Sequence, residues 1–278
     1  MSSVLFGDGV GQNRPVVLID DVGTLGPVEV EPARGGGPVT PASRVCARAV
    51  ARSRHLLHGV GIDWGTGTGL LAILAARIPT VEQVVAVEYD RTAVETARAN
   101  ADRNGVADRV TVVHADLFAA FDPADQPTID ALEGEAAFLL ANPPHSDEGD
   151  GLEWRRRVLA GARRLLRPGA VVLFQVSAHY TEERIRGLAF EGYEYVETVE
   201  TSDWVPFDLS REDLRRALTV YVAEEDRGGI PYEFRLADGR VVSAREVAAG
   251  AGDPHTRWQV HHFRYSAPPK VGACSSPS

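Results

Sequence analysis

One stretch constrains this chain more than any other: Gly61-Ile62-Asp63-Trp64-Gly65-Thr66-Gly67-Thr68-Gly69-Leu70-Leu71-Ala72-Ile73-Leu74. A short apolar approach runs into alternating glycines and then straight into an amphipathic pattern. That order predicts a strand, a tight turn and a helix. Glycines at alternate positions let the backbone bend sharply and approach a ligand with no side chain in the way. The helix start presents unpaired N–H groups and the positive end of its dipole, so a polar ligand, often an anion, is expected there. Taken alone, the pattern also fits a dinucleotide-binding turn or a merely tight strand-to-helix connection.

Two further segments decide between these readings. Val84-Val85-Ala86-Val87-Glu88-Tyr89-Asp90 reads as a buried parallel strand ending in acid. Glu88 follows the glycines at about the ~20-residue spacing at which such folds place a ribose-binding carboxylate. Phe138-Leu139-Leu140-Ala141-Asn142-Pro143-Pro144-His145 is another apolar strand, ending in Asn-Pro-Pro. A dehydrogenase has no reason to carry that tripeptide.

Together these residues resemble the class I S-adenosylmethionine-dependent methyltransferases, over about residues 40–225. Asp63-Trp64-Gly65-Thr66-Gly67-Thr68-Gly69 is similar to their first motif. Asn142-Pro143-Pro144-His145 is similar to the Asn-Pro-Pro-aromatic motif of the branch that includes release-factor glutamine methyltransferases and some ribosomal RNA methyltransferases. His145 stands where that branch has Tyr or Phe. The resemblance implies S-adenosylmethionine as cofactor. It implies Asp63, Gly65, Thr66, Gly67, Gly69, Glu88, Asp116, Asn142 and Thr40 around that cofactor, with Glu88 on the ribose and Asp116 near the adenine amino group. It also implies a Rossmann-like, doubly wound seven-stranded α/β sheet, mostly parallel with an antiparallel last strand.

Methyl transfer from a sulfonium is an in-line displacement, so the protein's task is to aim a nucleophile. The candidate catalytic residues are Asn142, Pro143 and His145. The Asn142 side-chain oxygen and the Pro143 carbonyl can each accept an N–H from a target nitrogen. Two prolines stiffen the loop and remove competing donors. His145 could stack on a planar substrate, act as a base tuned near neutrality, or be polar surface. The leading expectation is transfer to a nitrogen of a small metabolite or a peptide. The alternatives are an RNA- or protein-directed (glutamine-type) enzyme, an O-methyltransferase with His145 as base, and a non-catalytic cofactor-binding scaffold.

Charge bears on the partner. The chain is 278 residues with a net charge of −10, and Lys270 is its only lysine. Nucleic-acid binding draws heavily on basic residues neutralising phosphates, so composition argues against a nucleic-acid partner. The run Arg155-Arg156-Arg157 falls on a helix and reads as solvated surface. No apolar run could span a bilayer, no signal peptide is evident, and only Cys46 and Cys274 are present. These features fit a cytoplasmic protein without a disulfide framework, and the Arg, Ala, Gly and Pro bias fits a high-GC bacterial genome. Two distant cysteines, and adjacent His261 and His262 pointing to opposite faces of a strand, support no metal site. No feature of the sequence assigns an oligomeric state.

The expected organisation has four parts. Residues 1–39 form a hairpin, Pro15–Ile19 with Val28–Val30, and a flexible joint at Arg34–Pro38. Residues 40–225 form the methyltransferase-like domain, opening on a helix capped by Thr40 or Ser43 with Pro41 in its first turn. Its strands are expected at 59–64, 83–88, 110–114, 136–141 and 170–176, with a final strand pair at 193–199 and 218–223. Residues 226–265 add a surface hairpin around Asp238-Gly239. Residues 266–278 are a Pro/Ser-rich disordered tail. His179 and Tyr180 lie at the ligand-binding edge and read as substrate contacts or loop surface, and Trp204 to Phe207 offer an aromatic wall or core or hairpin packing.

Overall fold

A computed structural model describes residues 16–32 and 39–267. The joint at 34–38 and most of the expected tail fall outside the described residues. The chain opens with a small antiparallel hairpin, β1 (Val17–Ile19) and β2 (Val28–Val30). Asn100 and Asn104 of a later helix tie β2 down, exchanging side-chain bonds with the backbone of Glu29 and Glu31. The helix α1 (Pro41–Arg52) follows, with Thr40 Oγ1 accepting the Ser43 N–H at 3.1 Å as its N-cap.

From there strands and helices alternate: β3 (Gly59–Trp64), α2 (Leu70–Ala76), β4 (Val81–Glu88), α3 (Arg91–Arg103), β5 (Val110–Asp116), the short β6 (Ala119–Ala120), α4 (Gln126–Asp130), β7 (Ala136–Ala141), α5 (Glu153–Ala162), β8 (Leu166–Gln175), α6 (Thr181–Arg186) and β9 (Tyr193–Thr201). Every residue of β7 is buried, as are Val84 to Val87 of β4. Continuous apolar runs of this kind belong to parallel strands covered on both faces. Two apolar clusters cover the sheet.

The C-terminal part comprises β10 (Val205–Pro206), α7 (Glu212–Asp226), β11 (Phe234–Arg235), β12 (Val241–Val242), α8 (Ala244–Ala248), β13 (His255–Thr256) and β14 (Gln259–Tyr265). The main sheet runs β6-β5-β4-β3-β7-β8-β14-β9. Strand β14 is antiparallel to both neighbours, while β3, β4, β5, β7 and β8 are mutually parallel. This is the expected doubly wound, seven-stranded Rossmann-like sheet, lengthened at one edge by the two-residue β6.

The antiparallel strand comes from an unexpected place. Residues 218–223, read as its source, lie in α7. The buried positions Ala217, Leu218, Tyr221 and Glu225 recur every three to four residues, so one helical face packs inward. The strand is instead β14, from the segment expected to be only a hairpin extension. Val260, His261, His262 and Phe263 are all buried there, because β14 lies inside the sheet between β8 and β9 and is covered on both faces. The hairpin β11–β12 is also not a surface feature. Phe234 and Val242 are buried in the main core, and the pair joins β13 and β10 in a second, four-stranded sheet.

Candidate active site

The chain runs outward from β3 through β4 to β5, then returns to place β7 on the other side of β3. Ligands in open α/β sheets bind at the carboxyl ends of strands where the direction reverses. The carboxyl ends of β3 and β7 carry Trp64-Gly65 and Asn142, so the two motifs meet at that point.

Gly65, Gly67 and Gly69 have φ of 64°, 56° and 83°, in the left-handed region that favours glycine. Their surroundings differ. A Cβ on Gly65 would meet nothing within 4 Å, whereas one on Gly69 would sit 3.3 Å from the Ala97 backbone. Gly69 therefore serves the packing of α2 on α3. Gly65 faces open space, a cavity of ≈ 570 Å³.

Two carboxylates shape the turn. Asp63, 1% exposed, accepts the Thr66 hydroxyl at 2.6 Å and the Ala72 N–H at 3.0 Å. Burial pushes its carboxyl up to about 7, against those two bonds. Glu88 accepts the Gly67 N–H at 2.8 Å through one oxygen and the Asp90 N–H at 2.9 Å through the other. The donors expected to face an anionic ligand are thus partly consumed by the protein's own acids. Asp63 and Thr66 work behind the turn, and neither lines the cavity.

The cavity walls bring together Gly65, Glu88, Asp116 and Asn142. Thr40 is not among them. It lines a separate cleft of ≈ 830 Å³ with Pro206, Phe207 and Trp258, and its hydroxyl is committed to capping α1. The cavity also holds Pro144 of the Asn-Pro-Pro motif and three residues assigned no role from sequence: Tyr89, Leu117 and Trp154. Trp154 approaches Trp64 with ring centroids 6.4 Å apart. The two are far apart in the chain, and nothing in the sequence pairs them. Leu117 has φ 53°, uncommon for a non-glycine residue. Held strain of this kind clusters at ligand sites.

Asn142 is half-buried and makes no side-chain hydrogen bond among the described residues. The prolines that follow are not bare. Arg155 donates to the Pro143 carbonyl and to the Pro144 carbonyl, each at 3.1 Å. Pro143 is buried and off the cavity wall with its carbonyl on Arg155, so the second acceptor expected from the sequence is not presented to the cavity. Arg155, read from sequence as solvated, is only 3% exposed, whereas Arg156 pairs with Asp150 at 2.6 Å and Arg157 is exposed.

His145 turns away from the cavity. Its ring meets Tyr221 edge-on at 5.5 Å, and Nε2 lies 3.3 Å from an Asp147 oxygen. Neither ring nitrogen has a well-formed hydrogen bond. Burial lowers its pKa, opposed by Asp147. His179 and Tyr180 are each 2% exposed and belong to the core. His179 stacks on Phe234 at 5.1 Å, reaches Thr256 at 2.9 Å, and is pushed down to about 3 by burial. Trp204 meets the guanidinium groups of Arg235 and Arg257 at 5.0 and 4.5 Å from its ring centre, and Phe207 packs on Phe234.

The residues fit S-adenosylmethionine. Gly65 leaves an open cradle, and Glu88 and Asp116 place two acids on the wall of a cavity of ligand size. Such a wall suits hydroxyl and amino donors and a cationic sulfonium.

A family model for the methyltransferase small domain matches residues 37–202. The release factor glutamine methyltransferase of Chlorobaculum tepidum is 31% identical over 162 residues, covering 50% of this chain and 52% of that protein. The ribosomal protein L11 methyltransferase of Bacillus licheniformis is 28% identical over 181 residues, covering 64% and 51%. The chain spans about half the length of the curated relatives it matches. A solved Pyrococcus horikoshii structure with a provisional transferase name aligns with a TM-score of 0.51 at 15% identity, covering 91% of this chain and 72% of that one. A likeness at that identity shows the shared fold. The expectation of a small-molecule or peptide partner is overturned by these relatives, which are named for release factors and ribosomal proteins.

Proposed function

The chain belongs to the methyltransferase small domain family, and we propose that it uses S-adenosylmethionine to methylate a side-chain amide nitrogen of a translation protein. The observation that carries this reading is the unengaged Asn142 side chain on the wall that also holds Glu88 and Asp116. When bound, the cofactor supplies an electrophilic methyl group with a thioether leaving group. The rest falls to the chain's own residues. Gly65 leaves room, Glu88 and Asp116 would accept hydrogen bonds from the cofactor's hydroxyl and amino groups, and Trp64 and Trp154 give the cavity an apolar side.

An amide nitrogen has two N–H bonds and a poorly available lone pair. Asn142 Oδ1, on the cavity wall, accepts one N–H. With that direction fixed, the nitrogen is aimed into the cavity. Positioning of this kind can supply roughly 7–11 kcal/mol. The side-chain amide of Asn142 is acceptor and donor at once, so its oxygen has to face the acceptor nitrogen. Among the described residues no helix is long and apolar enough to cross a membrane. A translation-protein acceptor would place the work in the cytoplasm.

The test uses methyl-labelled S-adenosylmethionine with a purified bacterial release factor, ribosomal protein L11 and ribosomal RNA as separate acceptors. Label on a protein amide nitrogen, lost with Asn142→Ala, is expected. Label confined to RNA, or no transfer to any protein, overturns the proposal.

A further inference from the structure

Arg155 is a buried cation with no carboxylate in direct contact among the described residues. It is 3% exposed, and no ion pair among the described residues includes it. Its Nε donates to the Gln175 carbonyl at 2.9 Å, and Nη2 to the Gln175 side-chain oxygen at 3.1 Å. Nη1 and Nη2 reach the Pro144 and Pro143 carbonyls, both at 3.1 Å. The Tyr180 ring lies 5.9 Å away and adds a weak π contact. A buried charge whose direct contacts are all neutral dipoles is costly, and an apolar residue of similar volume would often serve stability better. Its retention calls for a task an apolar side chain cannot do.

The loop itself indicates the task. Pro143 and Pro144 have no N–H, so a backbone ladder cannot knit this stretch from both sides. The next backbone tie is the Ser146 N–H to the Gly151 carbonyl at 3.2 Å. Between β7 and that tie, the two carbonyls can be fixed only by an outside donor. A guanidinium is a rigid planar fork, so it sets two neighbouring carbonyls in one geometry and anchors them to the end of β8. Arg155 follows Trp154 on α5. Trp154 faces the cavity while Arg155 holds the loop from behind.

We propose that Arg155 is a positioning residue that fixes the Asn142-Pro143-Pro144 loop in its acceptor-orienting form. This rests on the reading of that loop as the transfer site. Arg155→Lys keeps the charge but replaces the fork with a point donor, and Arg155→Met removes both. Hydrogen exchange on the full chain without cofactor or acceptor is the first readout. Amides of Asn142, His145 and Ser146 should exchange faster in both variants, while β4 and β7 stay protected. Activity per folded molecule is the second, with release factor as acceptor. The rate at saturating cofactor should fall about 10- to 100-fold in Arg155→Met, as expected for misplacement of about 1 Å, and less in Arg155→Lys. Cofactor Kd should stay within about threefold. Unchanged loop exchange in Arg155→Lys and Arg155→Met overturns the proposal. So does an equal loss of protection throughout the sheet, or a rate loss matched by lost cofactor affinity. Because exchange needs no acceptor, a failure of amide methylation in the wild type leaves the test of Arg155 intact.

Discussion

Removing Glu88 should damage the protein twice, once without ligand and once with it. In the free protein its carboxylate accepts the Gly67 N–H at 2.8 Å and the Asp90 N–H at 2.9 Å. The first bond is part-buried and the second exposed. A hydrogen bond to a charged acceptor is worth about 1.5–3 kcal/mol, with exposed ones at or below the lower end. Taking about 1.5 kcal/mol for Gly67 and about 0.5 kcal/mol for Asp90, Glu88→Ala should cost about 2 kcal/mol. For a chain of this size that lowers Tm by roughly 3–4 °C. Glu88→Gln keeps one acceptor oxygen and should lose about half as much. Cofactor binding suffers further, because the same oxygens would accept ligand hydroxyls. A loss of about 2–3 kcal/mol corresponds to roughly 30- to 150-fold weaker binding. Thermal melting without ligand and calorimetric titration with S-adenosylmethionine separate the two effects. A melting temperature unchanged in Glu88→Ala would show that Glu88 does not hold the turn. A Kd within threefold of wild type would remove it from the cofactor site.

Two other substitutions probe the neighbouring groups. His145→Phe should keep activity within about threefold and leave stability equal or higher, since both ring nitrogens are buried without a well-formed hydrogen bond; a loss of 10²–10⁴ with a vanished neutral titration would instead make it the base. Burial raises Asp63 to about 7, above its ordinary value of about 4. Folding therefore takes up a proton, so this group favours the fold below about pH 4 and the contribution is lost as pH rises to about 7. The stability difference between Asp63→Asn and wild type should shift toward the variant across that window, as measured by urea unfolding, and a flat difference would contradict the shift.

The strand-turn-helix unit and the sheet were legible because buried parallel strands leave continuous apolar runs. Glu88, Asp116 and Asn142 were legible because a doubly wound sheet puts strand ends on one edge. Residues 218–223 misled because Thr219, Val220 and Val222 favour strands locally, while their partners Leu214, Ala217 and Tyr221 set a helical period. Strand β14 was hidden by the histidines inside it, whose polar groups are met by the Thr198 hydroxyl and the Val176 carbonyl in the case of His261. Arg155 sat in a basic run that looked solvated, and no local pattern distinguishes it from Arg157. Its burial follows from two carbonyls on a distant loop. Trp154 joined the site through the packing of α5, which also leaves no local trace.

Transfer of a methyl group from the cavity between Glu88 and Asn142 to a protein amide can be read on the acceptor itself. The most direct measurement is mass-spectrometric mapping of a release factor treated with the chain and labelled S-adenosylmethionine, in parallel with Asn142→Ala. The account predicts one methyl on a side-chain amide nitrogen with wild type. With the variant it predicts little or none, while cofactor affinity is nearly unchanged. A methyl on lysine or on RNA, or equal labelling by Asn142→Ala, would contradict it.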